Sequence, residues 1–157
     1  MFTHCTHPSV KASVMEWFTK PSSLRVVIAT VAFGMGINCP DVRLAFHWGV
    51  PEDIEIYIQE SVRMGRDGLL SYALIVYGSG DLNKKYTSEQ MIKYCVNAES
   101  VCRRKLLFED FAEYTSVGNI CVGCKCCDIC QIQCKCGNCD QIISCIPSVS
   151  VLLYIIT

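Results

Sequence analysis

Eleven of the chain's 13 cysteines fall between residues 95 and 145, and only Cys5 and Cys39 precede residue 90. Cysteine density of this kind normally signals a secreted disulfide scaffold. Here the cysteines are polarised to one half, and residues 1–10 carry Thr, His and Pro where a leader would be basic and then apolar. Crowding without a leader fits an intracellular metal site better than a set of disulfides.

At 157 residues the chain allows one ordinary domain, or a domain plus a small module. A hydrophobic share of 51% against 18% charged residues describes a globular chain. A net charge of −1 gives no global attraction to nucleic acid, so any DNA contact must come from local patches.

Apolar spacing at Val10, Val14, Trp17 and Phe18, with Pro8 suited to a first turn, predicts an amphipathic helix over residues 8–19. Pro21-Ser-Ser ends it. Residues 25–30 are β-branched and apolar and read as a buried strand. A second strand is expected over 43–48. After Pro51 comes a helix with Ile54, Tyr57 and Ile58 on its apolar face, and a third strand covers 72–77. Strand, helix, strand at this spacing means parallel strands with crossover connections, an α/β architecture. Beyond residue 80 the character changes. Thr87-x-x-Gln90 forms a capping box before Met91, Tyr94, Cys95 and Ala98, and helix should continue, with one break, to about residue 111.

Two blocks stand out within the first half. Val27-Ile-Ala-Thr-Val-Ala-Phe-Gly-Met-Gly-Ile-Asn-Cys-Pro-Asp-Val-Arg43 is an apolar strand running into a loop with Gly34 and Gly36. Gln59-Glu-Ser-Val-Arg-Met-Gly-Arg-Asp-Gly68 sets Arg63 and Arg66 at a helix end beside Gly65 and Gly68. Taken singly, each has a plain structural explanation. Glycines permit a tight strand-to-helix connection, and arginines at a helix C-terminus complement its dipole.

Together the blocks resemble motifs V and VI of superfamily 2 helicases, and their wording resembles the RecQ family. A third signal agrees. Cys102-Arg-Arg-Lys-Leu-Leu followed by Cys124-x-x-Cys127-Asp-x-Cys130 resembles the zinc-binding subdomain that follows the helicase core in that family. The resemblance implies a partial RecA-like lobe with parallel strands over residues 1–80, a small helical zinc-binding module over 81–140, and an apolar tail over 141–157. It implies an ATP-dependent 3′–5′ DNA helicase acting in DNA repair and recombination, nuclear, with DNA as partner and no membrane. In such enzymes one lobe holds ATP and Mg2+, and the other reaches in with arginines. A guanidinium is always charged and forks on to phosphate oxygens, stabilising charge that develops in phosphoryl transfer.

By resemblance Arg66 is the arginine finger with Arg63 beside it, and Gln59, Gly65 and Asn38 contact the nucleotide. Thr30 and Gly34 touch DNA, and Cys102, Cys124, Cys127 and Cys130 hold Zn2+. Arg103 and Arg104 form a basic patch with Lys105, read either as a DNA-phosphate contact or as a solvated charged face. The family has Gly where Val62 stands, so strain is expected there if that position needs positive φ.

Several alternatives stay open. Cys121 and Cys126 compete for the metal in sequence, and Cys130, Cys134, Cys136 and Cys139 suggest a second site. His47 reads as a core residue rather than a ligand. The uninterrupted apolar run at 149–157 is about half of what a bilayer needs. It reads as a membrane anchor or, more plainly, as an apolar tail with nothing to pack on. No G-x-x-x-x-G-K-[ST] loop and no Asp-Glu-x-His box occurs in the 157 residues. The chain therefore reads as a fragment that needs a first RecA-like lobe for activity. The competing reading is a zinc-stabilised DNA- or protein-binding remnant without catalysis.

Overall fold

The local rules written in the sequence build most of the observed elements. The structure, a computed structural model, describes residues 2–30, 39, 41–109 and 125–137, and the backbone of 150–156. Helix α1 spans Pro8–Thr19, with Pro at its start and His7 as N-cap. Strand β1 (Leu44–Trp48) leads to helix α2 (Ile54–Ser61), whose N-cap Asp53 accepts the Ile56 N–H at 2.7 Å. Strand β2 (Ser71–Tyr77) follows and pairs with β1 in parallel, Leu44 opposite Tyr72 through to Trp48 opposite Val76. The α/β expectation holds, with a helix as the crossover between parallel strands.

Helix α3 (Glu89–Val96) is capped by Ser88, whose hydroxyl accepts the Met91 N–H at 3.2 Å. The expected cap was Thr87. Thr87 is instead buried, and its N–H goes to the Asn83 carbonyl at 3.0 Å. Asn97 ends α3 in the left-handed conformation (φ 40°) and makes the expected break, with five residues between it and α4 (Arg103–Leu107). Helix α5 (Asp128–Gln133) carries Cys130 and is flanked by Cys127 as its N-cap and Cys134 as its C-cap.

One apolar cluster joins Ile54, Tyr57, Met64, Ala73 and Ile75 to Met91, Tyr94, Cys95 and Leu107. The core therefore runs across residue 80, and the helices beyond it cover the Ala45–His47 face of the sheet. The opposite face is only partly covered: on β1 Leu44 and Phe46 are about half exposed and Trp48 is 85% exposed, whereas Val76 beside Trp48 on β2 is buried.

Two expectations are corrected. Residues 25–30 form no buried strand: Val26 and Ile28 are largely exposed, and the backbone makes a single parallel bridge, Ala29 to Phe2. A buried strand needs neighbours on both edges and cover on both faces. Here the described partner is one residue long. The tail, expected to have nothing to pack on, supplies strand β3 (Ser150–Ile156), antiparallel to β2 over seven residue pairs from Ser71–Ile156 to Tyr77–Ser150. Its run of β-branched and apolar residues satisfies the backbone groups of an otherwise free edge. Among the described residues no helix is long and apolar enough to cross a membrane.

Candidate functional site

The arginine loop lies where α2 returns to the N-terminal ends of β1 and β2. Ile54 and Tyr57 bury one side of α2, which leaves Gln59 exposed and brings the helix end over residue 42. Met64, 2% exposed, is the apolar anchor of the turn. Gly65 adopts φ 59° and donates its N–H to the Val42 carbonyl at 3.2 Å. A Cβ on Gly65 would sit 2.9 Å from the Leu69 carbonyl oxygen and 3.0 Å from Ser71 Oγ, so both conformation and space demand glycine. Gly68, at φ 77°, closes the turn through its N–H to the Gly65 carbonyl at 2.9 Å.

Arg66 is exposed, its Nε donating to the Val62 carbonyl at 3.4 Å, whereas Arg63 is half-buried. Beside them Arg43 forks on to Asp67. Nη1 meets Oδ1 at 2.9 Å and Nη2 meets Oδ2, while Nη1 also reaches Ser71 Oγ at 3.2 Å. The Arg43 hydrogen bonds hold the Asp67 carboxyl below the usual carboxylate range, and the same contact raises Arg43.

Val62 is the C-cap of α2 at φ −68°, ψ 1°, and donates its N–H to Ile58 at 2.9 Å. That is ordinary backbone for any L-residue, so the strain expected there is absent. Thr30 is exposed, its N–H on the Phe2 carbonyl at 3.1 Å. Gly34 and Asn38 lie outside the described residues.

The second constellation is built from sulfur. Asn97 staples the loop after α3: its Nδ2 donates to the Val101 carbonyl at 2.7 Å and its Oδ1 accepts the Val101 N–H at 3.0 Å. Cys102 is thereby delivered at the start of α4. Cys127 caps α5, its Sγ accepting the N–H groups of Cys130 at 3.5 Å and Arg103 at 3.4 Å. The ligand atoms of Cys102, Cys126, Cys127 and Cys130 all lie within 4.8 Å of one another, and Cys102 Sγ is 3.5 Å from Cys126 Sγ. Four thiolates around a zinc at ~2.3 Å in a tetrahedron stand about 3.8 Å apart. The donor set and its spacing fit that ion.

Hydrogen bonds from the Cys126 and Cys127 thiols lower Cys102 strongly, and the same contact with Cys102 raises Cys126. Burial pushes Cys130 up to about 12.

Of the metal set expected from sequence, the structure brings Cys102, Cys127 and Cys130 together, with Cys126 as the fourth sulfur; Cys124 lies outside the described residues. Cys121 and Cys139 also lie outside them. Cys134 and Cys136 join no metal-holding group among the described residues.

Arg103 corrects its reading as a DNA contact. Only 3% exposed, it donates Nε to both oxygens of Asp128 (2.8 and 3.0 Å), Nη2 to Oδ2 at 2.9 Å and Nη1 to the Tyr94 carbonyl at 2.5 Å. A guanidinium so enclosed cannot meet a phosphate. Arg104 is buried too, so neither forms the solvated face considered from sequence. Sequence reasoning missed Asp128 as the partner, although a signal was there. Arg103 follows Cys102 and Asp128 follows Cys127, so converging sulfurs carry opposite charges together. His47 is a packing residue: its ring meets Tyr57 edge-on at 5.2 Å and its Nδ1 lies 3.1 Å from Glu60 Oε2.

The helicase conserved C-terminal domain family matches residues 2–68. The chain is 40% identical over 128 residues to the RecQ-like DNA helicase blm-1 of Caenorhabditis elegans, covering 70% of this chain and 13% of that protein. It is 39% identical over 120 residues to the ATP-dependent DNA helicase Q1 of Rattus norvegicus, covering 69% and 19%. It is 35% identical over 125 residues to the ATP-dependent helicase SGS1 of Saccharomyces cerevisiae, covering 68% and 8%. The chain thus spans less than a fifth of the length of each of these relatives.

Proposed function

For a chain that belongs to the RecQ helicase family, we propose that residues 1–80 act as the arginine-bearing half of an ATP-dependent 3′–5′ DNA helicase. Residues 81–140 form its zinc-binding module, and the site of action is nuclear DNA. The observation that carries this reading is the 65–68 turn. It holds Arg66 exposed between a glycine that nothing else can replace and an aspartate tied to Arg43. A charged fork on a fixed turn is what stabilising developing phosphate charge requires.

In this reading Arg66 meets the terminal phosphate of an ATP held with Mg2+ on a first RecA-like lobe, with Arg63, Gln59, Gly65 and Asn38 beside the nucleotide. Thr30 and Gly34 face the DNA backbone. Zinc, held by Cys102, Cys127, Cys130 and a fourth cysteine, supplies structure rather than chemistry. In this reading the phosphate loop that Arg66 acts upon lies outside these 157 residues.

The test joins this chain to the first lobe of a RecQ relative and measures DNA-stimulated ATP hydrolysis. Arg66→Ala should lower the rate by ~10³-fold or more, as for other arginine fingers, while DNA binding survives. Hydrolysis unchanged by Arg66→Ala would remove the residue from that role.

A further inference from the structure

We propose that Arg43 is a positioning residue for Arg66, acting through Asp67; the inference rests on the role given to Arg66 above. Residues 66–69 are all exposed, so apolar burial holds only the Met64 side of the turn. What fixes the rest is polar. Gly65, immediately before Arg66, is tied by its N–H to the Val42 carbonyl at 3.2 Å. Asp67, immediately after it, is gripped through both carboxylate oxygens by Arg43. Its Oδ1 also accepts the Leu69 N–H at 3.1 Å. Ser71 completes the brace, donating Oγ–H to the Val42 carbonyl at 3.1 Å while Arg43 Nη1 donates to its oxygen.

Arg66 therefore lies between two residues that are both fastened to residues 42–43, the segment that enters β1. The Arg43 backbone is itself locked into the sheet edge, its carbonyl accepting the Tyr72 N–H at 2.9 Å. The brace transmits the sheet's rigidity to a surface turn. A planar guanidinium spans Asp67, Ser71 and the Leu69 carbonyl at once, and an ammonium at the same position has no such fork. With side chains 37% and 28% exposed, the pair contributes little to global stability, and its effect is on geometry. Misplacing a reacting group by about 1 Å costs on the order of 10²-fold in rate.

The test uses Arg43→Gln, Arg43→Lys, Asp67→Asn and the double variant Arg43→Gln with Asp67→Asn. In the chain itself, hydrogen exchange and NMR relaxation at residues 65–68 and at the Arg66 Nε–H should report a loosened turn, with β1 and β2 amides unchanged. In the lobe-joined enzyme kcat should fall about 10²-fold, with KM for ATP nearly unaltered. The double variant should be no worse than either single one, because both remove the same contact. Arg43→Lys should rescue poorly. Unchanged exchange at 65–68 together with unchanged kcat in Arg43→Gln overturns the proposal; if that variant does not fold, the same outcome in Asp67→Asn decides it. Were Arg66→Ala to leave hydrolysis intact, the role of Arg66 would fail while the turn measurements still judged Arg43.

Discussion

The guanidinium of Arg103 and the carboxylate of Asp128 form a closed, buried fork, with three nitrogen–oxygen contacts between 2.8 and 3.0 Å. Arg103 is adjacent to Cys102 and Asp128 to Cys127, so the pair is a second clasp beside the sulfur cluster. The Tyr94 ring lies 5.3 Å from the Arg103 guanidinium carbon, and the Tyr94 carbonyl takes its remaining fork arm. Through Tyr94 the clasp reaches the core that covers the β1–β2 sheet.

Removing one partner of this pair should be severe. Asp128→Ala leaves a buried guanidinium without its counter-charge, and losses of about 3–5 kcal/mol are typical of that change. Urea denaturation of the metal-loaded chain measures it. The double variant Arg103→Met with Asp128→Leu should recover most of the loss, since neither charge then remains buried. Asp128→Ala with wild-type stability would mean that the fork does not hold α5 to α4.

Val62→Gly should not improve the protein. Position 62 sits at φ −68° with its side chain 52% exposed, so glycine relieves no strain and adds freedom to the unfolded chain. Thermal melting should show a loss of roughly a few tenths of a kcal/mol, and the lobe-joined ATPase should be no faster. A rate gain would show that the family's glycine serves nucleotide contact rather than backbone geometry.

Elements with their own periodic signal were legible in the sequence: α1, β1, α2 and β2 lie within a residue or a few of where spacing puts them. Residues 25–30 were not. Their composition says strand, but whether a strand is buried depends on neighbours that local sequence does not encode. The Ser88 cap was one residue from the expected Thr87, because both hydroxyls precede the same apolar run and only the turn at 83–87 chooses between them. The arginine loop was readable from Gly65, Arg66 and Gly68, yet the partnership of Arg43 with Asp67 spans 24 residues and needs the crossover to close. The inward turn of Arg103 was invisible for the same reason. A Cys-Arg-Arg run looks basic until the cysteines converge.

Alkaline pH should destabilise the core through Cys95. Burial pushes this thiol from its ordinary value of 9.0 up to about 12, with the side chain 2% exposed among Tyr94, Met91 and Leu107. In the folded chain it stays protonated while the unfolded chain ionises near 9. The unfolded state therefore binds fewer protons, and stability falls as pH rises between those values. Below pH 9 the contribution is complete. Urea titrations from pH 8 to 11 should show this slope, and Cys95→Ala should flatten it. An equal slope in both would place the alkaline sensitivity elsewhere.

The last prediction concerns the metal and its fourth ligand. Residues 125–137 bury few large apolar groups, and ordering each residue of backbone costs roughly 1–2 kcal/mol. Zinc coordination supplies of order 10 kcal/mol at neutral pH, and only when the thiolates converge. The reduced chain should therefore retain about one zinc, and chelation should loosen α4 and α5 before the β1–β2 pair, as read by hydrogen exchange. Cys102→Ser, Cys127→Ser and Cys130→Ser should each abolish retention. Cys126→Ser should do so as well, because Cys126 is fully buried with its sulfur 3.5 Å from that of Cys102. Cys124→Ser is the counter-test. Loss of zinc there, with retention in Cys126→Ser, would restore the Cys-x-x-Cys-x-x-Cys set and make Cys126 a buried neighbour that solvates the cluster. A reduced chain that holds no zinc in any form would end the zinc reading altogether.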